Sequence, residues 1–179
     1  LTGFTVMELL VVIAIMGIIT TVLLSGFPRF GEVLAVDREA QLIALAVRDI
    51  EQRAISTLES PIVAGQYKTG FGVHFNIANN RQYWLFSDAL DQNNFLDAGE
   101  EIEVVPIEKA RIRKICKLNS AGTACETDFD QLSITYKRPN PIIEIRGATL
   151  GSCIPGPCVV VNLGPGSYAI EIESLRDNP

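Results

Sequence analysis

The pattern of apolar and polar positions divides the chain into three parts with different periodicities. Residues 4–24 form an apolar segment of 21 residues in which Glu8 is the only charged residue. A helix of that length rises about 30 Å, which matches the hydrocarbon thickness of a bilayer. The first part is therefore predicted to be a helix that spans a membrane or packs in an equally dry environment.

The second part, residues 31–58, has the periodicity of an amphipathic helix. Its apolar stripe repeats at spacings of four, three and four residues and consists of Ile43, Val47, Ile50 and Ala54. Charged residues occupy the other sides, so this stripe is predicted to pack against an apolar surface. The helix is expected to end near residue 60, because Pro61 disfavours the helical conformation of the residue before it.

Two residues between these parts are expected to disturb the helix. Pro28 has no amide hydrogen, and its ring clashes with the carbonyl group four residues earlier. Gly26 adds backbone freedom close by. We therefore predict that the helix bends or breaks at Gly26 and Pro28.

The third part, from residue 65 onward, consists of short alternating runs separated by turn residues, which is typical of β-strands. The predicted strands are 71–77, 82–87, 102–107, 111–116, 132–136, 142–146, 158–163 and 168–175. The Gly-Pro-Gly-Ser turn at 164–167 is expected to close a hairpin between the last two strands. The predicted fold class is α+β, with an antiparallel sheet or small two-sheet β domain packed on the amphipathic helix.

The charge of the chain lies almost entirely outside the apolar segment. The 179 residues carry a formal net charge of −6, to which the apolar segment contributes only Glu8. This acidic balance argues against general nucleic-acid binding and favours a solvated, extracytoplasmic surface. The remaining length allows one globular domain of roughly 120 residues.

The N-terminal sequence Gly3-Phe4-Thr5-Val6-Met7-Glu8 and the apolar run behind it resemble the class III signal of type IV pilins and type II secretion pseudopilins. That pattern is Gly, then Phe-Thr, two apolar residues, Glu and a long apolar helix. The resemblance implies that a prepilin peptidase cleaves between Gly3 and Phe4 and methylates the new amine of Phe4. It also implies that Glu8 pairs with the Phe4 amine of an adjacent subunit during filament assembly.

The same resemblance implies a domain organisation on a type IV pilin-like fold. Residues 1–3 would be a residual leader, 4–30 a transmembrane and filament-core helix, 31–60 its amphipathic half, and 61–179 a globular β domain. Only Leu1 and Thr2 precede the glycine, where such proteins usually have basic residues. We interpret the leader as truncated; alternatively, the chain begins unprocessed at Leu1.

The resemblance also implies where the protein resides and what it contacts. The subunit would cross the inner membrane once, with its domain outside the cytoplasm, and would later enter an extracytoplasmic filament. Its implied partners are other pilin or pseudopilin subunits, the prepilin peptidase, the inner-membrane assembly platform and, before assembly, membrane lipid.

Three later segments resemble the minor pilins and minor pseudopilins of the H/FimT-like class. They are Tyr83-Trp84-Leu85-Phe86, the stretch from Asp91 to Glu100, and Ile134-Thr135-Tyr136. This resemblance implies a two-sheet β domain on the helix, and a minor, tip-associated subunit of a pilus or of a secretion pseudopilus.

Four cysteines form two pairs that are close in sequence, Cys116 with Cys125 and Cys153 with Cys158. An exported domain lies in an oxidising compartment, where disulfides persist. Three connectivities are open, and local pairing is favoured because it closes the shortest loops. Zinc is disfavoured, since the chain has one histidine and no Cys-x-x-Cys spacing.

An acidic stretch offers oxygen ligands at spacings similar to those of a calcium loop. The candidate ligands are Asp91, Asn93, Asp97 and Glu100, with Glu101 as an alternative to Glu100. Ca²⁺ takes six to eight oxygens, but Phe95 stands where an EF-hand would place a ligand, and the expected glycine after it is missing. The alternative is an acidic turn between two strands. Some pseudopilins hold calcium in a loop of their globular domain, so the resemblance adds support for bound Ca²⁺ but leaves the acidic turn as the simpler interpretation.

A basic run, Lys109, Arg111 and Arg113, is predicted to share one side of a strand. Some minor pilins bind DNA during uptake, so these residues are candidates for phosphate contacts, and the alternative function is a pilus-tip binding module for DNA uptake or adhesion. The simpler interpretation is a solvated strand face, because no aromatic residue lies between them.

The sequence favours a structural protein over an enzyme. Its one histidine, His74, lies in the middle of a predicted strand. Gly-x-Ser-x-Gly, His-Glu-x-x-His and phosphate-binding loop motifs are absent from the sequence. We predict no catalysis.

Overall fold

The computed structural model describes residues 4–56, 59–67, 69–137, 142–148, 161–162 and 168–175. In these residues one long helix, α1 (Val6–Ile55), precedes nine strands. These are β1 (Gly70–Asn76), β2 (Gln82–Asp88), β3 (Glu101–Pro106), β4 (Ala110–Leu118), β5 (Cys125–Phe129), β6 (Gln131–Lys137), β7 (Ile142–Ala148), β8 (Val161–Asn162) and β9 (Tyr168–Ser174). The predicted class, α+β with an N-terminal apolar helix and antiparallel sheets, is confirmed.

The helix is continuous from its apolar half to its amphipathic half. It passes through Gly26 and Pro28 without interruption, so the helix does not break there, and the bend remains a prediction. It ends earlier than the sequence predicts, because Ser56 leaves the helical region at φ −68° and ψ 147°. The amide of Ser56 still donates to the carbonyl of Gln52 at 2.9 Å, which closes the last turn.

The first half of α1 is long and apolar enough to span a membrane. The segment Val6–Leu24 has a mean hydropathy of 2.6, and none of it is buried against the other residues that the structure describes. The second half belongs to the domain: Ile43, Ile50 and Ala54 are buried in the core, and Val47 packs against it. The predicted stripe is therefore confirmed as a core-facing surface.

The strands form two antiparallel sheets. The larger sheet has the order β3-β2-β1-β6-β7-β8, and the smaller one has the order β5-β4-β9. The amphipathic half of α1 packs on β1 and β6 of the first sheet and on β4 and β9 of the second. The helix thus closes a single core between the sheets.

The hairpin predicted across 164–167 is wrong. Strand β8 pairs with β7 in the large sheet, whereas β9 pairs with β4 in the small one. The two strands therefore belong to different sheets. Local turn chemistry does not reveal the sheet that a strand joins, because that choice depends on the buried surface available to each strand.

Strand β5 was not predicted from the sequence. Its residues Glu126, Thr127 and Asp128 are exposed, and Phe129 is its buried apolar side chain. A polar edge strand lacks the alternation that identifies a half-buried strand. Its antiparallel pairing with β4 identifies this segment as a strand.

The large sheet is covered on both faces. Phe71, Val73 and Phe75 of β1 point to the inner face, which we define as the face packed on α1. Gly72 and His74 point to the opposite, outer face and are equally buried. The alternation of apolar and polar residues in β1 predicts that only one face of the strand is buried. The second face is covered by the loop between β2 and β3, which is described in the next section.

Candidate functional site

The N-terminal turn of α1 has the geometry of a capped helix end. Thr5 is the N-cap residue, and its Oγ1 accepts a hydrogen bond from the amide of Glu8 at 3.3 Å. The spacing Thr-x-x-Glu is that of a capping box, in which the glutamate is the third helical residue. A carboxylate in the first turn also interacts favourably with the helix dipole. Of the predicted processing residues, Phe4 is exposed, and Gly3 lies outside the described residues.

Residues 89–100, here called the outer loop, lie across the outer face of the large sheet. The ring of Phe95 packs edge-on against His74 of β1, with ring centroids 5.1 Å apart. The Thr135 hydroxyl of β6 donates to the carbonyl of Asn94 at 3.3 Å. The Lys137 ammonium, also on β6, donates to the carbonyl of Gln92 at 3.3 Å. The side-chain amide of Asn94 also donates to Glu144 Oε2 of β7 at 2.5 Å, so the loop is attached to three strands.

The backbone of the outer loop turns through three residues with positive φ. These are Gln92 at 55°, Asn94 at 65° and Gly99 at 94°. Gly tolerates this region freely, and Asn is the side chain that adopts it most readily. Asn94 and Gly99 therefore suit their positions in a compact loop, whereas Gln92 has neither advantage.

Glu100 closes the outer loop from inside. Its side chain is fully buried, and Oε1 accepts hydrogen bonds from the amides of Ala89 at 3.0 Å and Leu90 at 2.9 Å. Oε2 accepts from the amide of Asp97 at 3.3 Å. Burial raises the pKa of Glu100, and these backbone donors oppose that effect. The carboxylate thus substitutes for backbone partners that a regular strand would supply.

Asp88, the last residue of β2, is the second buried carboxylate. Its Oδ2 accepts from the amide of Asn94 at 3.1 Å and lies 3.9 Å from the Lys137 ammonium. Its Oδ1 is buried and has no hydrogen-bond partner among the residues that the structure describes. Burial raises the pKa of Asp88 to about 6, the Asn94 amide opposes this, and the neighbouring Glu100 adds to it.

The predicted calcium ligands are brought together in part. Asn93 Nδ2 donates to Asp91 Oδ2 at 2.7 Å and to Asp97 Oδ2 at 2.5 Å, which links these three side chains. One carboxylate oxygen from each of Asp91, Glu100 and Asp88 lies within 4.8 Å of the other two. Sequence reasoning missed Asp88. The available signal was its position three residues before Asp91, at the end of a strand.

The predicted basic run is partly neutralised by an acidic residue of β9. Arg111 Nε lies 2.6 Å from Glu173 Oε1, and Arg113 Nε lies 3.8 Å from Glu173 Oε2. A register shift between Ile112 and Lys114 accompanies this arrangement. Lys109 is exposed nearby. Two of the three cations thus face a carboxylate, and nothing in this geometry favours a phosphate contact, so the DNA-binding alternative remains a prediction.

One of the two favoured disulfides is confirmed. Cys116 and Cys125 are bonded and link β4 to the edge strand β5. Asp128 lies close to the two sulfurs, but disulfide sulfurs are not thiolates and are poor metal ligands. Cys153 and Cys158 lie outside the described residues.

His74 is a structural side chain of the outer face. It is 4% exposed, its Nδ1 lies 2.7 Å from Ser133 Oγ, and its ring packs edge-on against Trp84. Burial lowers the pKa of His74 to about 4, so the ring is neutral at pH 7. The contacts of His74 with Ser133 and Trp84 are those of a side chain that packs and hydrogen-bonds inside the domain.

Comparison of the chain with protein-family models, curated proteins and solved structures finds no match in any of the three.

Proposed function

We propose that this chain is a minor pilin or minor pseudopilin, a structural subunit of a type IV pilin-like filament that is held in the inner membrane before assembly. The observation that carries the proposal is helix α1 itself. One continuous helix joins an exposed apolar half to a half packed in the core of the domain. Movement of the apolar half from lipid into a filament would carry the domain with it.

The apolar half needs a cover that the described part of its own domain does not supply. The exposed fractions of its large apolar side chains lie between 41% and 78%. Burying one such side chain fully contributes about 1.5–3 kcal/mol, so this surface strongly favours an apolar environment. Lipid supplies one before assembly, and the equivalent helices of other subunits supply one afterwards. The same surface therefore serves both states.

In the proposal, Glu8 makes the apolar half select a neighbouring pilin subunit as its partner. A charged side chain in an apolar span costs about 2.5–3.5 kcal/mol at the bilayer centre on insertion scales, so such residues usually have a partner. The amine of Phe4 on a neighbouring subunit would be a suitable one. The Thr-x-x-Glu spacing offers a second explanation for this side chain, because the glutamate of a capping box accepts a hydrogen bond from the amide of the N-cap residue. The experiment must separate these two roles.

The test uses two substitutions at Glu8 in cells that carry the assembly machinery. Glu8→Val removes both the charge and the capping group, whereas Glu8→Gln removes the charge and keeps a side chain that serves at this position of a capping box. We expect both variants to insert in the membrane and both to enter sheared filaments at least about tenfold less than the natural chain. Membrane and filament fractions are quantified by immunoblotting, with the exposed Asp37→Asn of the same helix as control.

The outcomes distinguish the roles. Normal incorporation of both variants would contradict the proposed mechanism. Loss with Glu8→Val but not with Glu8→Gln would assign Glu8 to helix capping alone. The N-terminal mass of the chain recovered from cell envelopes provides an independent check. A methylated chain that starts at Phe4 supports the proposal, and a chain that keeps Gly3 contradicts it.

A further inference from the structure

We propose that a groove between α1 and the turn from β3 to β4 binds a lysine or arginine side chain of a neighbouring subunit, with Glu39 as its counter-ion. The groove, here called the α1 groove, has a volume of about 420 Å³. Its apolar walls include Leu34, Leu42, Val105 and Pro106. The nature of the partner rests on the proposed function, whereas the groove and its buried carboxylate are features of this chain alone.

Glu39 is a buried carboxylate that lines the α1 groove. The residue is 8% exposed, and no hydrogen bond or ion pair within the described part of the chain includes its carboxylate. Asp88 and Glu100, by contrast, accept hydrogen bonds from backbone amides. A buried charge without a partner is strongly unfavourable, so such residues are usually paired. Glu39 thus has the property expected of a residue whose partner lies on another chain.

The electrostatic surroundings of Glu39 favour a cation. Burial raises the pKa of Tyr83 on β2, and the negative charges of Glu103 and Glu39 raise it further. Two carboxylates therefore act on one buried phenol where α1 meets this edge of the large sheet. A cation placed beside Glu39 would reduce the negative potential there.

The α1 groove has cations of its own, but they do not pair with Glu39. Arg38 and Lys109 line the groove, and both are exposed. Neither forms an ion pair with Glu39 in the structure. Glu108, which is also exposed, lines the same groove. These charges are solvated by water, so the buried carboxylate is the charged group of the groove that lacks compensation.

A lysine or arginine side chain suits both the carboxylate and the apolar walls. Leu34 is 58% exposed and Leu42 is 44% exposed, so the described part of the domain leaves these walls uncovered. The aliphatic stem of lysine or arginine packs on apolar surface while its charged end reaches a polar partner. Apolar walls do not offer the several oxygen ligands that Ca²⁺ and Mg²⁺ require. The groove therefore suits an amphipathic cation better than a metal ion.

The position of the α1 groove favours a protein partner over a lipid headgroup. Glu39 lies 15 residues beyond Leu24, the last residue of the apolar segment, and this corresponds to about 22 Å along a continuous helix. The headgroup layer on each side of a bilayer is only roughly 5–8 Å thick. In the proposed filament, other subunits cover the apolar half of the same helix, so they also lie beside the groove.

The first measurement tests whether Glu39 lacks a partner within its own chain. Glu39→Gln replaces the charge with a neutral amide of the same shape, so the melting temperature of the full chain in detergent micelles should stay the same or rise. Lys109→Gln should leave the melting temperature unchanged within about 1 °C. A fall of about 2 °C or more in either variant would identify a partner inside the chain and overturn the proposal.

The second measurement identifies the occupant of the groove in cells that carry the assembly machinery. A photo-crosslinking residue in place of Leu42 should bond to another subunit of the filament, next to a lysine or arginine located by mass spectrometry. The same residue in place of Tyr67, which is exposed outside the groove, is the control and should not give this product. No crosslink to a subunit, a crosslink to lipid alone, or a crosslink to a segment without a basic residue would overturn the proposal.

Charge reversal then tests the ion pair itself. Glu39→Lys should lower the amount of chain in sheared filaments at least about tenfold, because it places two cations together in a buried site. A glutamate in place of the crosslinked basic residue should restore at least about half of the natural level. Asp37→Asn, at an exposed position of the same helix, is the control and should assemble normally. Failure of the second reversal to restore assembly would overturn the proposal.

The results separate this inference from the proposed function. Normal incorporation of Glu39→Lys would refute the ion pair and leave the proposed function intact, since that function is tested at Glu8 and at the N-terminus. Absence of the natural chain from filaments would refute both.

Discussion

The two faces of the large sheet are buried in opposite ways. On the inner face, Phe71, Val73 and Phe75 pack with α1 in one continuous apolar core. On the outer face, a small apolar group around Phe95 lies among His74 and buried hydroxyl and carboxylate groups. The covering element is a regular helix in one case and an irregular polar loop in the other.

The difference shows that equal burial can have different physical origins. Apolar burial on the inner face is non-directional, so its contribution scales with the area removed from water. The outer face depends on groups such as Glu100, Asp88 and Thr135, whose buried polar atoms require particular partners. The free energy of unfolding should therefore fall when a side chain on the inner face is made smaller. On the outer face it should fall when a side chain is made larger, and it should depend on pH.

The largest expected effect is on the outer face, from Gly72→Ala. An added Cβ would overlap the ring of Phe86 and would lie 2.8 Å from the carbonyl oxygen of Ile134. We expect destabilisation of roughly 3–5 kcal/mol, above the usual range for overpacking, because one clashing group is backbone. Urea unfolding in detergent measures it. Gly31→Ala, in open space on α1, is the control and should not destabilise; similar stability of the two variants would contradict this packing.

On the inner face, Ile50→Ala should destabilise the domain by about 3 kcal/mol. Ile50 is fully buried where α1 meets the sheets, so the substitution loses apolar contact and leaves a cavity. Leu45→Ala on the same helix is the control, since Leu45 is 58% exposed, and its effect should remain below about 1 kcal/mol. Equal losses of stability for the two variants in urea unfolding would contradict the burial of the Ile50 side of this helix and the exposure of the Leu45 side.

The smallest expected effect is the pH dependence due to His74. Its pKa is about 4 in the folded chain and near 6.5 when unfolded, so between these values the unfolded state binds more protons. The stability contribution is present above pH 6.5 and falls by at most about 3 kcal/mol as the pH drops toward 4. The difference between the natural chain and His74→Gln isolates this effect, because Asp88 titrates in both. A difference that stays constant with pH would contradict the neutral, buried state of His74.

Several features of the protein follow from its sequence. The apolar run with its single Glu8 predicts the exposed half of α1, and the stripe at Ile43, Val47 and Ile50 predicts the packed half. The alternation at Phe71, Val73 and Phe75 predicts β1 and its inner face. The short spacing of Cys116 and Cys125 favours the disulfide that forms. Each of these features is local in sequence. Periodicity indicates which side of a helix or strand is buried, and the short spacing of two cysteines indicates that they can pair.

Tertiary structure decided the rest. It assigned β8 and β9 to different sheets, made a strand of the polar segment Cys125–Phe129, and joined Asp88 to Asp91 and Glu100. It also buried the outer face beneath a loop whose main apolar side chain is Phe95. No local periodicity of the sequence indicates these features. Each depends on residues that are distant in the chain or on backbone groups that every residue shares.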